Sequence, residues 1–96
     1  MRLMLLDYGG TLTRINVAER ANFVRKLIAQ GDWPCLHTGS DIRTLRQDEP
    51  DLMCAVRGVF RKGTEGIPDI PARLQCPPTD ITEVLIVDDE PQNWER

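Results

Sequence analysis

Apolar and polar positions in this 96-residue chain fall into short unbroken apolar runs and longer stretches with helical spacing. Leu3–Leu6 and Val84–Val87 are continuously apolar, as parallel strands buried on both faces tend to be. Asn16 followed by Glu19 reads as a capping box, and Val17, Ala21, Val24, Leu27 and Ile28 then recur at helical spacing until Gly31 stops the helix. Trp33–His37 reads as a second strand, with Pro34 tolerated only near its start. Ser40 or Asp41 can cap a short helix through Gln47, and Pro50 opens another through Ala55. Val56–Phe60 is the candidate third strand, weakened by Gly58. Residues 63–82 contain Pro68, Pro71, Pro77 and Pro78, so a loop is expected there, with one helical turn around Ala72–Gln75.

Strands alternating with helices predict an α/β fold with a parallel sheet and right-handed crossovers. Ligands in such sheets sit at the carboxyl ends of the strands, and Asp7, Thr38 and Asp88 all fall at predicted strand ends. Length sets the organisation: residues 1–96 make one small domain. A net charge of −3, with Arg14, Arg20, Arg25, Lys26, Arg57, Arg61 and Lys62 dispersed along the chain, predicts a solvated surface and no nucleic-acid face. Cys35, Cys54 and Cys76 are odd in number and widely spaced, so buried, reduced thiols are expected rather than disulfides or zinc. The N-terminal apolar run is too short to cross a membrane and lacks a cleavage pattern, which points to a cytoplasmic protein without a membrane partner.

The candidate chemistry lies where the apolar strands end in acid. One run delivers Asp7 into Gly9-Gly10, and the other ends at Asp88-Asp89. Carboxylates brought together there suit Mg²⁺, a hard ion that takes oxygen ligands and serves phosphoryl transfer.

Leu5-Leu6-Asp7-Tyr8-Gly9-Gly10-Thr11-Leu12-Thr13 resembles the first motif of the haloacid dehalogenase (HAD) superfamily, Asp-x-Asp-Gly-Thr-Leu, and looks closest to its trehalose-phosphate-phosphatase type. Leu36-His37-Thr38-Gly39-Ser40 is similar to the second motif, Lys62 to the third-motif lysine, and Val84–Asn93 to the fourth, Asp-Asp-x-x-x-Asn after an apolar strand. The resemblance implies a three-layer Rossmann-like core with strand order 3-2-1-4. It implies Asp7 as nucleophile forming an aspartyl-phosphate, and Mg²⁺ held by Asp7, the Gly9 carbonyl and Asp88, with Asp89 as a more distant partner. By the same resemblance, Gly10, Thr38, Gly39 and Lys62 hold phosphate or a phosphorylated small molecule, and Asn93 orients the acidic loop or Lys62.

Two departures qualify that expectation. Gly9 stands where the family has its general acid and base, a contribution typically worth about 10² to 10⁴ in rate. An alkoxide then leaves slowly, whereas a phenolate or carboxylate departs unaided; Tyr8 and His37 are the nearby substitutes. Only eight residues follow Asp88, so a C-terminally shortened core without a cap is expected, with a sheet edge open to a homodimer or protein partner. The competing function is therefore an inactive binding or regulatory protein on the same scaffold, and a piece of a longer phosphatase is a third reading. Plainer roles stand beside these: Asp7 and Asp88-Asp89 as turn residues, Lys62 as a surface lysine, Thr38 as a helix cap, His37 as structural, and Trp33 and Trp94 as packing. The Val84–Glu90 run also resembles the opening of a bacterial receiver domain, but receivers carry that acidic pair on their first strand and here it lies near the far end, so a receiver fold is not expected.

Overall fold

The two unbroken apolar runs lie side by side in the structure, a computed structural model that describes residues 2–63 and 78–88. β1 (Arg2–Asp7) is flanked in parallel by β2 (Asp32–Thr38), paired from Arg2↔Asp32 to Asp7↔His37, and by β4 (Glu83–Val87), paired from Arg2↔Glu83 to Leu6↔Val87. β3 (Val59–Arg61) joins the far side of β2. The sheet is all-parallel with order β3-β2-β1-β4, the order expected from the sequence.

Alternation of side chains divides the sheet into two faces. Met4, Leu6 and Leu36 pack with Leu12, Val24, Leu45 and Leu52, residues supplied by the first turn and by the helices α1 (Val17–Ala29), α2 (Ile42–Asp48) and α3 (Pro50–Ala55). Leu3, Leu5, Cys35 and Phe60 form the core of the opposite face with Trp33, Ile81 and Ile86. Among the described residues, no α-helix contributes to that second cluster.

Local chemistry explains the element boundaries. Asn16 caps α1, but its side chain accepts from the Ala18 N–H, not from Glu19 as a capping box requires. Gly31, at φ 90°, follows the last turn as expected. Asp41, not Ser40, caps α2 through the Arg43 N–H. Pro34 sits inside β2, where its missing N–H points to the β3 side before β3 begins. There its carbonyl still accepts from the Arg57 N–H at 2.7 Å.

The structure corrects several expectations. β3 starts at Val59 rather than Val56, because Val56 ends α3, although the Arg57 and Gly58 backbone already bonds to β2. A 3₁₀ turn at Pro78–Asp80 replaces uninterrupted loop; the turn expected at 72–75 lies outside the described residues. Val17, assigned to the buried stripe, is 63% exposed at the open first turn of α1. Cys54 is exposed and Cys35 is buried as expected, while Cys76 lies outside the described residues. Among the described residues, no helix is long and apolar enough to cross a membrane.

Candidate functional site

Asp7 ends β1, His37 stands beside it as the last residue but one of β2, and Asp88 follows β4, so the register aligns the three in one row across adjacent strands. By strand alternation Asp7 and His37 continue the Leu3–Leu5–Cys35 face, as Asp88 continues from Ile86. Lys62 follows β3 by one residue and reaches across β2. Its Nζ lies 2.7 Å from Asp7 Oδ1 and 3.0 Å from Asp88 Oδ2, joining residues 55 positions apart and the outermost strands of the sheet. The side chains of Asp7 and Asp88 are 6% and 0% exposed, and that of Lys62 is 19% exposed. Burial alone lowers the Lys62 ammonium, but hydrogen bonds and charge from Asp7 and Asp88 outweigh it and hold it above the ordinary lysine value. Lys62 is therefore no surface lysine: it is a fixed cation shared by two carboxylates.

The neighbouring turns are built around this trio. The Lys62 N–H donates to the Thr38 carbonyl at 2.9 Å, tying the two strand ends together. Thr38 is 1% exposed, and its hydroxyl accepts from the Ser40 N–H at 3.0 Å; it caps no helix. Gly10 has φ 81°, a conformation that favours glycine, and its N–H donates to Thr13 Oγ1 at 2.8 Å. Gly9 and Gly39 both face open space, since a Cβ at either would meet nothing within 4 Å. Asp89 and Asn93 lie outside the described residues.

Tyr8 does not point toward Asp7. It packs on the helix-covered face, where burial first and a hydrogen bond to Glu49 second raise its phenol above the ordinary tyrosine value. His37 stands directly beside Asp7 in the register and is 3% exposed.

Arg20 is the residue that sequence reasoning placed wrongly. Expected on a solvated surface, it is 8% exposed and donates to the Ile15 and Thr13 carbonyls and to Glu49 Oε2 at 2.9 Å. Its guanidinium also lies 5.7 Å from the Tyr8 ring centroid. One side chain thus clamps the turn that follows Asp7 onto α1 and the α2–α3 corner. The signal was present, because position 20 lies on the same helical stripe as Val24.

Mg²⁺ fits this donor set. Among the described residues, no group of three or more His, Cys, Asp or Glu side chains is gathered. Mg²⁺ does not need one, since it commonly binds through one or two carboxylates, water and substrate phosphate. Asp7 and Asp88, both held against the Lys62 ammonium, are two carboxylates of that kind. A separate groove lined by Val17, Ala21, Asp48 and Asp51 contains none of these residues.

No family model, curated protein or solved structure matches the chain.

Proposed function

We propose that the chain is a small HAD-like phosphoryl-transfer protein whose site lies at the carboxyl end of the sheet. The single observation carrying this reading is Lys62 bridging Asp7 and Asp88 at 2.7 and 3.0 Å. In the proposed reaction Asp7, already ionised at neutral pH, attacks phosphorus and accepts the phosphoryl group. Lys62, the Thr38 hydroxyl and the Gly39 N–H hold the phosphoryl oxygens and offset the charge that develops on them. Asp88 and the Gly9 carbonyl would complete a Mg²⁺ site with Asp7, with Asp89 and Asn93 as outer partners. When bound, the ion offsets charge repulsion between the carboxylate and the incoming phosphate. Arg20 contributes by keeping the turn after Asp7 in one geometry.

Beryllofluoride, an acyl-phosphate mimic, tests this reading through ¹⁹F NMR. Bound signal that needs Mg²⁺ and vanishes in Asp7→Asn supports it; absence of bound signal in the native protein overturns it.

A second reading, a non-catalytic scaffold acting through a homodimer or protein partner, is favoured by two observations. Gly9 brings no proton carrier, and β4 pairs only with β1 among the described residues while Val84 and Leu85 are 36% and 40% exposed. Self-association would appear as a concentration-dependent mass in sedimentation equilibrium.

A further inference from the structure

We infer that this site takes phosphoryl groups from acyl and aryl phosphates and then keeps them on Asp7, acting as a slow-release phosphoacceptor rather than a fast phosphomonoesterase; the inference rests on the phosphoryl-transfer reading above. It follows from which groups, among the described residues, stand around Asp7. In an in-line displacement the leaving oxygen lies across phosphorus from the attacking carboxylate, so its proton donor stands beyond phosphorus, the part that the resemblance to the HAD first motif gives to the side chain at position 9. Gly9 has no side chain there, and the space a Cβ would enter is empty to 4 Å. Tyr8 is turned to the opposite face and held among Arg20 and Glu49. The Thr13 and Thr38 hydroxyls accept from the Gly10 and Ser40 N–H groups, and as aliphatic alcohols they are no stronger acids than a leaving alcohol, so neither drives its protonation. His37 is buried next to Asp7 on the same face, so it stands beside the attacking oxygen and not across phosphorus from it.

The two half-reactions then differ in what they need. In the first, the Asp7 Oδ–P bond forms, the P–O bond to the leaving group breaks, and a carboxylate or phenolate departs with the electron pair; no proton is required. In the second, water attacks phosphorus, the P–O bond to Asp7 breaks, and its electron pair restores the carboxylate. The attacking water must shed a proton, and it goes to bulk solvent because no base projects from position 9. Loading is fast for good leaving groups and release is slow.

Intact-mass spectrometry of the full chain with Mg²⁺ tests this, using acetyl phosphate and glycerol phosphate in parallel, with Asp7→Asn and Gly9→Asp variants. The expected result is a mass gain of one phosphoryl group from acetyl phosphate alone, absent in Asp7→Asn. After removal of the donor, that adduct should decay about 10² to 10⁴ times faster in Gly9→Asp, the range a positioned acid–base group contributes. Loading by glycerol phosphate at a comparable rate, or equally rapid decay in the native chain and Gly9→Asp, overturns the inference. If beryllofluoride binds at Asp7 but acetyl phosphate leaves no adduct, the inference alone falls. If beryllofluoride does not bind, the phosphoryl-transfer reading falls and carries this one with it.

Discussion

Replacing Lys62 with methionine keeps the apolar stem and removes the ammonium that Asp7 and Asp88 share at 2.7 and 3.0 Å. Removing one partner from a buried ion pair typically costs about 3–5 kcal/mol, because the remaining charge stays desolvated. Lys62 is 19% exposed, so water entering its place recovers part of that, and about 2–3 kcal/mol is the expected loss. Small domains have about 5–15 kcal/mol in total. At about 4–8 °C per kcal/mol for a chain of this size, melting should fall by roughly 10–20 °C. Mg²⁺ should restore much of it, since a ligand at about 100 times its Kd adds about 2.7 kcal/mol. The recovery should exceed that of the native protein, where Lys62 already supplies positive charge. The pH dependence has a definite sign. Because the Lys62 ammonium is raised in the fold, its stabilisation is complete below the free lysine value of about 10.4 and fades as pH climbs past it. Urea unfolding followed by far-UV circular dichroism measures these quantities. A Lys62→Met protein within 0.5 kcal/mol of native, unresponsive to Mg²⁺, would refute the reasoning.

Two further outcomes are expected. Arg20→Met should destabilise by about 3–5 kcal/mol in urea unfolding, because Glu49 is left buried, and adding Glu49→Leu should recover much of the loss. Peptide mapping after iodoacetamide at neutral pH should find Cys54 modified and Cys35 intact, since burial pushes the Cys35 thiol up to about 12. For the same reason the fold holds the Cys35 proton, so stability should fall as pH rises from the free thiol value of about 8.5 toward that raised value.

Leu3–Leu6 was legible because β1 is buried on both faces, which leaves it no polar position. Val84–Val87 carries the same unbroken run, yet β4 lies at the sheet edge with Val84 and Leu85 exposed, so that expected two-sided burial is not met there. Helix limits were legible where a single residue sets the backbone, as Asn16 and Gly31 do for α1. β3 was less so: three residues carry too little pattern, and only its hydrogen bonds to β2 locate it. At the site, Asp7 and Asp88 could be named from their strands, but a lone lysine has no signature, and Lys62 takes its meaning from a contact spanning the sheet. Arg20 was obscured by its charge. Dispersed arginines are usually solvated, and its burial depends on Glu49, which no periodicity connects to it.

The most direct measurement is paramagnetic broadening of the ¹H–¹⁵N spectrum by Mn²⁺ standing in for Mg²⁺. The account predicts selective loss of the amide signals of Asp7, Tyr8, Gly9, Lys62 and Asp88, reversed by excess Mg²⁺ and absent in Asp7→Asn. Broadening centred on the acidic groove at Asp48 and Asp51, or none at all, would contradict a shared cation site at the ends of β1 and β4.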